Sequence, residues 1–162
     1  MSPATLRLFG IIPLLLAAAA AQDSAQGASA CNLEDGKQVV VRFNHVSPKN
    51  EKAVNGKPFV PAGTPITLFT EAQLTLAGTT IPVGAYSVYP IPGRDRWTLA
   101  VNKNVTAGAP YDEKQDLARA SMETAPIDVP QDLDVAFGHV GSKCTLRIYF
   151  AKVGAFADFT EK

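Results

Sequence analysis

The sequence predicts an all-β fold, a single antiparallel β-sandwich or barrel-like domain of about seven to nine strands. Three observations carry this. Apolar residues recur with a period of two along most of the chain. Pro- and Gly-rich breaks separate the runs. No long amphipathic helical stretches alternate with them, which argues against a doubly wound α/β fold. The plainest stretch is Ile81 to Asn102, IPVGAYSVYPIPGRDRWTLAVN, where two alternating runs flank a Pro-Gly turn.

The N-terminus has the pattern of an export signal. Arg7 precedes an uncharged run from Leu8 to Ala21 that ends in five alanines. The run is short for a bilayer span of about 20 residues, and its end suits a signal peptidase. Residues 1–21 are therefore expected to be a signal peptide cut after Ala21, with an uncleaved anchor as the alternative. After removal no stable transmembrane span is expected. Residues 22–30 (QDSAQGASA) are small and polar and predict a flexible lead-in. Residues 31–162 then form the β domain.

Within that domain the strands follow in order. Val39, Val41 and Phe43 share one face of the first. Ser47 to Ala62 is rich in Pro, Lys, Asn and Gly and reads as a loop. Ile66 and Leu68 lie in a second strand, and Leu74 and Leu76 in a third. Ala77-Gly78 turns the chain toward Thr79 to Ile81. Tyr86 and Val88 share a face opposite Ala85, Ser87 and Tyr89. Pro90, Pro92 and Gly93 are expected to stop that strand. Trp97, Leu99 and Val101 face the core on the return strand, which the loop length pairs as a hairpin. Tyr111 to Glu123 predicts a polar turn leading into a strand near Leu117 to Glu123. Pro126 and Pro130 bracket a break. Leu133, Val135 and Phe137 form one late strand, and Cys144, Leu146, Ile148 and Phe150 form the last strong one. Phe156 and Phe159 in the tail are positioned to tuck against the core.

Composition excludes some partners. Lys and Arg total 15 and so do Asp and Glu. Loss of Arg7 with the signal leaves 14 basic against 15 acidic side chains, a formal charge of −1. Such a chain has no basic footprint for nucleic acid and no polybasic run for anionic lipid. Export also governs how Cys31 and Cys144 are read. In an oxidising compartment an even count predicts a disulfide. Two free thiols, or a lipoprotein anchored through Cys31, are the alternatives. The expected localisation is periplasmic or extracellular.

The stretch Ile81 to Lys103 resembles a domain-of-unknown-function family of exported bacterial proteins, family 2911. The likeness rests on Ile81-Pro82-Val83-Gly84-Ala85-Tyr86, Ile91-Pro92-Gly93, Trp97-Thr98 and Asn102-Lys103. Downstream, Tyr111-Asp112 and Asp116-Leu117-Ala118-Arg119 look like the family's Tyr-Asp and Asp-x-x-Arg positions. The resemblance covers about Val39 to Glu123 and implies the β fold but no known activity. The chain departs from the family after the first strand. His45-Val46-Ser47-Pro48-Lys49 stands where relatives carry Arg-Pro and Lys-Gly-Arg segments. Val60-Pro61-Ala62-Gly63-Thr64-Pro65 stands near their Trp-Arg-x-Gly-Ala-Asn segment.

No constellation assigns a chemistry. His45 and His139 are the only histidines, too few for an ordinary zinc site. No Gly-x-Ser-x-Gly elbow is present. Asp112, Glu113 and Asp116 read as a solvated, charge-rich loop rather than a glycosidase pair. No catalytic residue, metal ligand or cofactor is therefore assigned. Tyr86, Pro92, Gly93 and Trp97 are expected to be structural anchors. Tyr89, Arg147 and Tyr149 fall on opposite-parity positions and are the surface candidates for a ligand patch. The expected function is a non-catalytic binding or interaction module for a ligand or an envelope protein. The competing expectations are an extracytoplasmic hydrolase with a loop-built site, and a purely structural envelope domain.

Overall fold

Each alternating run of the sequence becomes a strand in the computed structural model, which describes residues 25–162. The strands are β1 (Gln26–Asn32), β2 (Gln38–Asn44), β3 (Ile66–Thr70), β4 (Leu74–Leu76), β5 (Thr79–Ile81), β6 (Gly84–Ile91), β7 (Trp97–Asn102), β8 (Asp116–Val140) and β9 (Lys143–Glu161). No helix among the described residues is long and apolar enough to cross a membrane. The expected signal peptide lies outside the described residues.

The strands form one antiparallel sheet of order β1-β2-β3-β6-β7-β8-β9-β4-β5. It doubles over because β8 and β9 are long enough to serve two layers. Residues 116–122 of β8 pair with β7, whereas residues 123–140 pair with β9. The register shifts between Pro126 and Gln131 and again before Asp134. Only Ala151 to Val153 of β9 lies opposite Pro126 to Gln131, so the residues between them bulge out. The proline break expected here is thus a bulge in a continuous strand. Prolines cannot donate to a ladder, and a bulge bends the strand that carries it. β9 in turn reaches β4 through Phe159 and Leu76.

Both layers feed one core. Val39, Val41, Leu68, Val88, Leu99 and Met122 come from one side, and Leu74, Leu133, Leu146, Ile148, Phe150 and Phe159 from the other. All are 2% exposed or less. Burial on this scale, at about 25 cal/mol per Å² of apolar surface, is the dominant stabilising term. The expected alternation of burial holds in β2, in β3 and over Cys144 to Phe150 of β9, whereas β6 and β7 are buried on both faces. Tyr86 and Trp97 are buried as anticipated, each 7% exposed, and the Tyr86 hydroxyl donates to the Pro82 carbonyl at 2.8 Å. A Cβ at Gly93 would overlap the Arg96 carbonyl oxygen, so the turn after β6 closes only around glycine.

Three expectations are corrected. The lead-in 22–30 is a strand from Gln26 onward, paired with β2 from Gln26↔Asn44 to Asn32↔Gln38. Its small residues carry no apolar period, and only Cys31 in it is buried. Secondly, Pro90 does not stop β6; it pairs with Leu99 inside the hairpin. Its carbonyl accepts from the Phe59 N–H (2.8 Å), and that of Pro92 from Gly56 (2.8 Å), so the loop after β2 extends the ladder beyond β3. Thirdly, the strand that starts at Asp116 does not end near Glu123 but runs on to Val140.

The cysteine alternatives resolve to a disulfide. Cys31 on β1 is bonded to Cys144 on β9, with the Cα atoms 6.1 Å apart, inside the usual range. A bridged Cys31 cannot also carry a lipid, so the bridge excludes the lipoprotein anchor.

Ala77 and Gly78, which join β4 to β5, both have positive φ, 46° and 83°. That is the two-residue hairpin geometry in which Asn-Gly is favoured. Alanine pays a steric cost there that asparagine largely avoids. Ala77→Asn is expected to stabilise the protein by about 1 kcal/mol, read as a raised urea midpoint.

Candidate functional site

Two regions gather polar side chains of special residue types. The first lies on the outer face of β6 and β7. Asn102 closes β7 opposite Asp116 at the start of β8. Between them the chain makes a loop, residues 103–115, closed at its base by the Lys103 N–H donating to the Gln115 carbonyl (3.0 Å). The buried Asn102 side chain serves both ends of the loop. Its Nδ2 donates to Asp116 Oδ1 (2.8 Å) and to the Asp112 carbonyl (2.9 Å), and its Oδ1 accepts from the Asn104 N–H (2.9 Å). Asp116 Oδ2 accepts from the Tyr111 hydroxyl at 2.6 Å and from Arg119 Nη1 at 3.3 Å. The same Arg119 nitrogen bonds Glu113. The Asp116 side chain is only 6% exposed.

The loop then lies over the outer face of the sheet. The Tyr111 ring packs against Tyr89 with centroids 4.7 Å apart. Ser87 donates to the Asn104 carbonyl (2.8 Å). This corrects two expectations. Tyr89 is not a surface residue but is 4% exposed. Asp116 is not solvated with Asp112 and Glu113 but buried in a network. Strand parity gives the side of the sheet a residue faces, not whether a loop covers that side.

Burial, and then the bond to Asp116, hold the Tyr111 phenol well above its ordinary value of 10. It is therefore a hydrogen-bond donor at neutral pH and a poor acid. The sign follows from linkage. Because the folded value is the higher one, the contribution is intact below pH 10 and is lost as pH rises toward the raised value. Urea midpoints at pH 8 and pH 11 are expected to fall more steeply for the wild type than for Tyr111→Phe.

The second region is a cavity of about 480 Å³ beside the β6–β7 turn. Pro48, Glu51, Lys52, Ala53 and Asn55 wall one side, and Pro92, Gly93 and Arg94 of the turn another. Trp97, Phe150, Ala151 and Val153 complete the lining. Glu51 Oε1 accepts from the Ala62 N–H (2.9 Å). Lys52 and Arg94 form no salt bridge among the described residues. Two other depressions differ in character. One of about 260 Å³ is lined by Glu123, Thr145 and Asp158. There the Thr145 hydroxyl donates to Asp158 (2.6 Å), which also pairs with Lys143 (3.0 Å). Another of about 440 Å³ lies over Val40, Phe69 and Val83 on the outer face.

The profile of the family described as Protein of unknown function (DUF2911) matches residues 36–155. The chain belongs to the DUF2911 family. No curated protein and no solved structure matches it significantly. Seven of the residues that carry the DUF2911 likeness fall in the two regions. Asn102, Tyr111, Asp116 and Arg119 build the network; Pro92, Gly93 and Trp97 line the cavity.

The remaining candidates stay apart from both. Arg147 is exposed, its guanidinium filling the space that a Cβ on Gly138 would take. Tyr149 is half-buried and packs edge-on against Phe156, 5.9 Å between centroids. His45 donates to the Leu133 carbonyl (3.2 Å) and His139 to that of Gly141 (2.6 Å), so each bonds backbone rather than a carboxylate. Among the described residues no cluster of three His, Cys, Asp or Glu side chains could hold a metal ion.

Proposed function

We propose that this protein is an exported, non-catalytic binding module whose ligand site is the cavity at Trp97. The carrying observation is the make-up of that cavity. It combines apolar residues with two cations that form no salt bridge among the described residues, and it includes no Ser, Thr, Cys or His side chain. A site built to bind needs the first combination; hydroxyl, thiol and imidazole chemistry needs residues that the lining lacks, and its one carboxylate, Glu51, is already turned onto the Ala62 N–H. The polar network supports the same reading, since its donors and acceptors are turned on one another to hold a loop. Export is supported by the N-terminal pattern and by the Cys31–Cys144 bridge.

Trp97 is the chain's only tryptophan, so its fluorescence reports on the cavity directly. A screen of sugars, amines, amino acids and aliphatic acids is expected to give a saturable emission change with at least one class. No response from any class, with the protein folded, would overturn the binding site. Export is tested separately by mass spectrometry of the protein from the host envelope or medium. A chain beginning near Gln22 is expected, and a full-length chain retained in the cytosol would overturn it.

A further inference from the structure

The geometry points to a small amphipathic monocarboxylate as the ligand of the Trp97 cavity, with its apolar body against Phe150 and Val153 and its carboxylate between Arg94 and Lys52. This rests on the binding reading above and names the ligand class.

Trp97 supplies the first argument. It is 7% exposed, yet its indole N–H makes no hydrogen bond among the described residues. No buried side-chain nitrogen or oxygen there lacks a partner. The N–H therefore keeps some contact with solvent, and Trp97 is one of the residues that line the cavity. A ligand in contact with Trp97 gains by presenting an acceptor.

Charge supplies the second. Of the three charged side chains in the lining, Glu51 is already turned onto the Ala62 N–H. Lys52 and Arg94 are left without carboxylate partners among the described residues. Two cations and an indole donor favour an anion, and a guanidinium is shaped for a carboxylate. The rest of the lining is Pro, Ala, Phe and Val, which favours an apolar body behind the anion. The volume, about 480 Å³, lies in the range of about 300–1,000 Å³ usual for small-molecule sites.

The test uses three probes of one shape: octanoate, octanamide and octylamine, each below its micellar concentration. Each is titrated against the exported protein by Trp97 fluorescence and by calorimetry. Octanoate is expected to bind about tenfold or more tighter than octanamide, and octylamine weakest. Arg94 is exposed in a turn, so Arg94→Gln is expected to keep the unfolding midpoint while erasing the preference for octanoate over octanamide. Equal binding of all three probes would overturn the carboxylate assignment and leave the binding module standing. An octanoate preference untouched by Arg94→Gln and by Lys52→Gln would overturn the placement. Silence from all three probes, with another class responding, would overturn the ligand class alone.

Discussion

The double variant Cys31→Ala with Cys144→Ala is expected to lose about 4–5 kcal/mol of stability. The bridge joins residues separated by 113 positions, most of the described chain. Closing so long a loop removes much conformational freedom from the unfolded state, and the logarithmic dependence on loop length gives that figure. A domain's total stability is about 5–15 kcal/mol, so the variant would be marginal. The bridge also acts in the folded state. β1 ends the strand order, pairing with β2 alone, and its only buried side chain is Cys31. Besides the bond, β1 is tied to the second layer by its packing along β8 and by Ser29, which accepts from the Phe137 N–H at 3.1 Å. Urea unfolding is expected to show a lower midpoint and a steeper slope, since an unlinked chain exposes more surface. A loss below about 1 kcal/mol would show that the entropic account does not apply here.

The strands were legible wherever a buried face alternates with an exposed one. Val39, Val41 and Phe43, or Leu146, Ile148 and Phe150, announce both the strand and its inner side. The likeness of Ile81 to Lys103 to family 2911 was legible too, because a hairpin fixes several residue types at set spacings. Three things were not. β1 gives no period, because its small residues are held by backbone pairing and one bridge rather than by an apolar face. The bulge at Pro126 to Gln131 reads as an interruption, since sequence shows the missing donors but not the bond pattern around them. The burial of Tyr89 and Asp116 depends on a loop folding back over the sheet, and nothing local in β6 encodes that. The useful signal was the family pattern itself. Asn102, Tyr111, Asp116 and Arg119 are scattered in the chain, and their common membership in that pattern is explained by one network. The cavity divides in a similar way. Its Pro92, Gly93 and Trp97 belong to the family pattern, whereas Pro48 comes from the segment where this chain departs from it.

Asp116→Ala is expected to cost about 3 kcal/mol, the second large effect. The carboxylate takes hydrogen bonds from Asn102, Tyr111 and Arg119, and its side chain is nearly sealed from water. Removing it leaves the Asn102 Nδ2 with only its Asp112 carbonyl bond and the Tyr111 hydroxyl with none among the described residues. Unmet buried donors cost about 1–3 kcal/mol each. Arg119 contributes less, since its side chain is 37% exposed and recovers water; its pair with Glu113 is a surface pair worth little. Tyr111→Phe removes one donor and leaves the carboxylate two, so about 1–2 kcal/mol is expected. A local readout separates a lock on the loop from general destabilisation. Hydrogen exchange of Asp116→Ala is expected to quicken at the Lys103 and Asn104 amides, whose acceptors are the Gln115 carbonyl and the Asn102 side chain. The β8–β9 hairpin should keep its protection relative to global unfolding. If protection of the 103–115 loop were unchanged, the network would not be what holds it. Asp116 would then be a buried carboxylate without a structural task, which is the circumstance in which a chemical role for it would have to be sought.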